Sequence, residues 1–470
     1  MSATTTRSVV SEARQRARKR ARVVVFVLGL MVLAELPLGW LALSGLERHK
    51  PDRAASAVSA RIPPVVGSRL LIGHGAVQQP QLLAVTDGWV GWWLSGSGRR
   101  QTLTVALLNS RHGLVRQRTI PVTELVGRAA LDDAPLFAAG PNGQLVFLWR
   151  AVNAARHTAA LGMGTWNVSL AGAPRLRWLS SVPLVDNAIA IDTGPHGQYL
   201  AYEPAAGGYL LVEERLQPWF APAQPKPNRP QLLVTLASPG ETLLSSRTIP
   251  MPPAQSFIDP LVRVDRVGGE YHLFVVRPGD NTKAGPEPDE LLLYRLDSEL
   301  RVLAPTMILA RSSAAGSIMD EAVCPIGHGR ELLVWEAADP ESGGGQVKHV
   351  LGMLLASGHP ASAPFLVTDS ISPYAQSAAQ LFLAPARNGA VLSFNTGASV
   401  VFAAVSTTGQ GTDPRVLFQL THLLYLQPAA GIAYAAHGGA LGSIWQDPGT
   451  AVNPANIGRS APLYLSVAGT

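Results

Sequence analysis

Four aspartates, Asp133, Asp186, Asp259 and Asp320, are the residues of this chain whose type and spacing could do chemistry together. They stand 10, 11, 10 and 9 positions ahead of Gly143, Gly197, Gly269 and Gly329. Gln79, Gln380 and Gln427 hold similar places in three further repeats. Carboxylates brought to one place offer hard oxygen ligands to a cation such as Ca²⁺, or accept hydrogen bonds from a polyol. The same residue types also serve as turn caps that bond neighbouring backbone amides. Both uses are open on the sequence.

The remaining chemistry is sparse. His74, His112, His196, His328 and His437 lie beside or near a glycine, and no histidine pair has metal-ligand spacing on a shared element. There is no glycine-rich phosphate loop, nucleophile elbow or Cys-x-x-Cys. Cys324 is the single cysteine, so no intramolecular disulfide forms. No catalytic residue is assigned and no cofactor is expected, Ca²⁺ at the aspartate ring being the one ion the pattern suits.

The elements that must position these aspartates come from a repeat. A glycine turn is followed by an apolar run ending on an aromatic, as in Gly143 to Trp149. The pattern recurs as Gly88 to Trp93, Gly197 to Tyr202, Gly269 to Phe274, Gly329 to Trp335, Gly389 to Phe394 and Gly439 to Trp445. Glycine spacings of 55, 54, 72, 60, 60 and 50 residues fit four-stranded units arranged as the blades of a β-propeller. The expected fold is therefore all-β, with seven blades over residues 67–470. The aspartates would ring one mouth of its channel, and the repeated aromatics would pack between blades. Two echoes support the register: Arg118-Thr119-Ile120-Pro121 returns as Arg247-Thr248-Ile249-Pro250, and Leu161-Gly162-Met163 as Leu351-Gly352-Met353.

The last repeat supplies three strands, Gly431–Ala435, Leu441–Gln446 and Pro462–Val467. An unassigned apolar run, Ser68–Ile72, precedes the first repeat. Pairing this run with Pro462–Val467 closes the ring and covers two strand edges that would otherwise be open to aggregation.

The glycine turn before a strand ending in Trp resembles the extracytoplasmic propellers of sialidase-like repeat families. The resemblance covers nearly all of residues 68–470 and implies the fold. Their Ser-x-Asp-x-Gly-x-x-Trp box is absent, Thr86-Asp87-Gly88-Trp89 only grazing it, and no catalytic residue carries over.

Ahead of the propeller, residues 1–22 hold seven basic side chains against Glu12 alone, a net +6 that equals the charge of the whole chain. Residues 23–470 are thus neutral overall, which argues against a nucleic-acid partner. Val23 to Gly45 is long enough to cross a bilayer core. Its thirteen Leu, Val and Phe residues favour insertion by roughly 4–8 kcal/mol, against about 3 kcal/mol for Glu35. The basic flank places the N-terminus in the cytoplasm, and residues 46–66 read as a stalk. Cleavage as a signal peptide, near Ala42 and Ser44, is the rival reading.

The expected protein is a single-pass, membrane-anchored propeller outside the cytoplasm that contacts a protein or envelope partner. Glu35 would face a partner helix, because a carboxyl in hydrocarbon must be neutralised or paired. The alternative is a glycan- or small-metabolite-active enzyme, or a ligand-binding protein, using the Asp-lined mouth.

Overall fold

Leu291, Leu292 and Leu293 are consecutive and all buried, although successive strand residues point to opposite faces. Such a strand must be packed on both sides. Leu291 and Leu293 join one apolar cluster with Ile318 and Trp335, whereas Leu292 joins another with Leu210 and Leu232. Sheets stacked around an axis meet this requirement, each lending one face to the sheet before it and one to the sheet after.

The computed structural model describes residues 68–469 except for connecting segments, the longer of which are 184–197, 217–229, 251–260, 369–380, 420–431 and 447–461. Two compact units divide the chain at residues 62 and 63, and the second holds all the described strands. It is a seven-bladed β-propeller. The innermost strands are Val77–Val85, Leu136–Ala139, Gln198–Glu203, Leu261–Val267, Ser317–Gly327, Phe382–Ala386 and Ile432–His437. Each lies beside the next, and the last returns to the first. Seven apolar clusters fill the seven seams between blades.

Blade one has four strands, Val77–Val85, Gly88–Ser95, Thr102–Asn109 and Leu114–Pro121, paired antiparallel in that order. Both sequence echoes fall at matching places. The Arg-Thr-Ile-Pro segments close the fourth strands Leu114–Pro121 and Leu243–Pro250, and the Leu-Gly-Met segments lie in the third strands Thr158–Asn167 and Gln346–Ala356. Of the repeated aromatics, Trp93, Trp149, Phe274, Trp335, Phe394 and Trp445 are buried, and Tyr202 is half-buried.

The ring closes as expected. Ser68–His74 pairs antiparallel with Pro462–Gly469, Ser68 opposite Val467 and Leu70 opposite Leu465, completing a blade with Ala440–Gln446 and Ile432–His437. Arg69 adds a cation–π contact, its guanidinium 3.6 Å from the Tyr464 ring centre.

Blade three corrects the repeat. The unit Gly197 to Tyr202 is not its second strand, because Gln198–Glu203 is innermost and Gly208–Leu216 is second. The equivalent turn glycine is Gly207, with φ 61°. Gly88, Gly143, Gly269, Gly329 and Gly389 share its positive φ, a conformation open to glycine without steric cost. The second strand here reaches Val212 where other blades place an aromatic, while the strand before it carries Tyr202. With Gly207 in place, the spacings of 54 and 72 become 64 and 62.

Among the described residues, no helix is long and apolar enough to cross a membrane. The expected span Val23–Gly45, with Glu35, lies outside them.

Candidate binding site at blades four to six

Asp320 departs from the expected place. It lies inside the innermost strand Ser317–Gly327 rather than ahead of it, beside a bulge between Ile318 and Asp320. A bulge re-aims the side chain next to it. The Asp320 carboxylate accepts the backbone N–H of Glu321 at 2.9 Å and that of Leu381, at the start of blade six, at 2.6 Å. Arg263, on the innermost strand of blade four, approaches it at 3.6 Å. Asp320 thus pins three blades together. Burial pushes its pKa up, opposed by Arg263 and the two backbone hydrogen bonds.

Asp133, Asp186 and Asp259 lie outside the described residues. The blade-three register also removes the spacing argument for Asp186, which stands 21 positions ahead of Gly207 rather than 10 or so.

Glu321 is the neighbour that the repeat did not single out. It is fully buried, and neither carboxyl oxygen has a hydrogen-bond partner among the described residues. Burial pushes its pKa up to about 8, Arg263 acting against the shift and Asp320 adding to it. Within the Arg263–Asp320–Glu321 trio, Glu321 is therefore largely protonated at pH 7. The Arg263 side chain keeps 29% of its surface exposed. It is the member of the trio that a ligand entering the channel would touch.

Two further buried clusters flank this trio. Glu336 sits opposite Asp320 in the strand register and meets Lys348 at 3.0 Å, with both side chains fully buried. On the other side, His272 Nδ1 lies 2.6 Å from Glu331 Oε2, and its Nε2 lies 3.7 Å from Glu270 Oε2. Asp265 stands opposite His272 in the register. Burial raises its pKa to about 6, with Arg266 N–H opposing, Glu331 adding and His272 opposing. Arg266 in turn pairs with Glu203 of blade three.

Cys324 belongs to the same neighbourhood. Burial, then Asp265 and Glu331, push its thiol up to about 12, so it stays protonated and is a poor nucleophile. Among the described residues, no group of three His, Cys, Asp or Glu side chains could hold a metal ion. The arrangement offers one partly exposed guanidinium coupled to a protonated carboxyl group, suited to hydrogen-bonding a polar ligand.

His272, Glu331, Glu336 and Lys348 had one available signal. His272 and Glu336 are flanked on both sides by apolar or aromatic strand residues, whereas Glu331 follows Arg330 and Lys348 precedes His349, so the signal is weaker for these two. Of the histidines beside glycines, His328 lies in a turn with φ 55°, whereas His74 and His437 end strands, paired with Pro462 and Ala440.

No family model matches the chain, and no curated protein matches it. Several solved propellers do. The GH93 α-L-arabinofuranosidase of Fusarium graminearum with arabinobiose is similar over 86% of this chain and 97% of its own, at 10% identity and a TM-score of 0.44. The uncomplexed Pyrococcus horikoshii acylaminoacyl peptidase aligns over 83% of this chain and 51% of its own, at 12% identity and a TM-score of 0.44. The GH43 endo-arabinanase from Bacillus licheniformis aligns over 62% and 99%, at 14% identity and a TM-score of 0.33. At such identities and TM-scores, no reaction or substrate passes to this chain. The sialidase-like part of the expected resemblance gains no support.

Proposed function

We propose that this chain is a membrane-anchored propeller, held outside the cytoplasm by Val23–Gly45, whose rim contacts a partner protein. One observation carries the reading. Every exposed large apolar side chain among the described residues lies on a fourth strand or, for Val302 and Leu303, in the turn leading to one. Leu244, Ile308 and Leu366 hold such places on blades three, four and five. These side chains are spread over the outer strands of six blades, and those on the neighbouring blades three to five are the ones an interaction surface there would use; an outer strand also offers an open backbone edge to an added strand.

Photo-crosslinking side chains placed at Leu244 and Leu366 in cells should give one discrete adduct, with none from Arg330 at the start of the second strand of blade five. An adduct from Arg330 alone would overturn the rim as the contact. Protease added to intact spheroplasts should remove the propeller, and its protection would refute the orientation. Glu35→Leu should weaken recovery of any partner that contacts the membrane helix.

A second reading rests on Glu321, whose buried carboxyl group has no hydrogen-bond partner among the described residues and is coupled electrostatically to Arg263. It has the propeller bind, or act on, a glycan or small metabolite at the inner strands. A thermal-shift screen with Ca²⁺ and neutral sugars, run on wild type and on Arg263→Gln, tests it. A stabilisation that disappears in the variant supports this reading, and no shift in either protein removes it.

A further inference from the structure

Asn167 begins the sequence Asn167-Val168-Ser169. It is the one asparagine of the eleven in this chain that is followed two places later by Ser or Thr with no Pro between. That pattern is the acceptor for a glycan linked through the asparagine side chain. Three residues can match by chance, so the fold decides whether the acceptor is usable.

The fold puts it on a surface turn. Thr158–Asn167, the third strand of blade two, ends on Asn167, and the fourth strand, Arg175–Pro183, follows the turn. Asn167 is exposed, whereas Trp166 before it and Leu170 after it are buried in the apolar cluster shared with blade one. The Leu170 N–H donates to the Asn167 carbonyl at 2.8 Å, and the Val168 N–H to the Gly143 carbonyl at 2.7 Å. From blade one, Arg116 Nη1 and Arg118 Nε donate to the Ser169 and Leu170 carbonyls at 2.9 and 3.3 Å. The turn is thus held in place by its neighbours, with the asparagine side chain outside.

The side-chain amide has a defined orientation. Asn167 Oδ1 accepts the Ser169 N–H at 2.8 Å. An amide whose oxygen accepts a backbone N–H turns its Nδ2 the other way, and Nδ2 is the atom a sugar would be joined to. Ser169 contributes only its backbone to these bonds, which leaves its hydroxyl open to recognition.

We propose that Asn167 is an N-glycosylation site. The donor is a saccharide carried on a polyprenyl pyrophosphate, and a membrane transferase supplies the base. Asn167 Nδ2 bonds to the anomeric carbon as the bond from that carbon to the pyrophosphate oxygen breaks. The pyrophosphate leaves with the electron pair, and one Nδ2 proton passes to the base. A glycan is bulky and hydrophilic, and an exposed side chain on a turn carries one without displacing any part of the core. The proposal rests on the extracytoplasmic orientation of the propeller.

The test takes the full-length protein from its own membranes. Cleavage after Arg156 and Arg175 releases residues 157–175, in which Asn167 is the sole asparagine. Mass spectrometry should find this peptide heavier by a saccharide, which an amidase specific for glycosyl-asparagine removes, leaving aspartate at that position. Ser169→Ala keeps the backbone groups that form the turn, so it should melt as the wild type does while the peptide becomes bare. Asn167→Gln should also be bare, and Ser169→Thr should stay modified. A bare wild-type peptide, from spheroplasts whose propeller is removed by added protease, would overturn the site and leave the orientation standing. A bare peptide with a protected propeller would overturn both. Sugar that persists in Asn167→Gln would put the modification on a hydroxyl group and overturn the proposal as well.

Discussion

Trp149 and Trp178 meet edge to face across a single glycine. Their ring centres are 5.7 Å apart at 67°, and both lie opposite Gly162 on the strand between them. One ring is buried at 2% exposure and the other is half in solvent at 50%. The pair thus joins the core of the blade one–two seam to its rim, and the absence of a side chain at position 162 is what allows it.

Gly162→Ala should test that relationship. An added Cβ would fall 2.1 Å from Trp149 Cε2, so the indole or the strand must shift. Overpacking of this kind costs about 1–3 kcal/mol. Urea denaturation should show the loss, and Trp178→Ala in the same background should recover part of it by giving Trp149 room.

Removal of residues 67–73 should destabilise every blade together. It uncovers the edge of Pro462–Gly469 and opens the join between the two ends of the ring. A single cooperative thermal transition moved down by many degrees is expected. A transition at the wild-type temperature would mean that the last blade is stable with three strands.

The Glu336–Lys348 pair should be costly to break and cheap to replace. Both side chains are fully buried and 3.0 Å apart. Lys348→Met leaves a buried carboxylate and should cost about 3–5 kcal/mol, whereas Glu336→Leu with Lys348→Met should cost much less. A double-mutant cycle read by urea denaturation measures the difference.

Stability should fall as pH rises from about 5 to 8. The Glu321 pKa is raised from 4.5 to about 8 and that of Asp265 from 3.8 to about 6, so the folded state binds these protons more tightly than the unfolded one. Their contribution is fully present below the unfolded values and is lost as each folded value is passed. For Glu321 it amounts to a few kcal/mol, because each tenfold gain in proton affinity on folding is worth about 1.4 kcal/mol. Denaturation at pH 5, 7 and 9 should show the decline, and Glu321→Gln should flatten most of it above pH 6.

The site was only partly legible in the chain. Asp320 was visible because it keeps step with the repeat, and its partners were not, because Arg263 and Leu381 are 57 and 61 positions away. Glu321 sits beside it in the chain, yet its importance comes from burial, which the repeat spacing does not encode. The His272–Glu331 contact joins second strands of adjacent blades, and nothing in either local pattern announces it.

What the sequence determined by itself was the architecture: blade number, strand order within most blades and the closing strand. Those follow from local chemistry, since a positive-φ turn favours glycine and a strand packed on both faces must be apolar throughout. Blade three escaped because its second strand lacks the aromatic and its first strand carries one. Only the tertiary structure decided which charges are buried and which are paired. Contacts such as Arg263–Asp320 and His272–Glu331 join blades about 60 residues apart, and packing around the ring, rather than local propensity, brings them together.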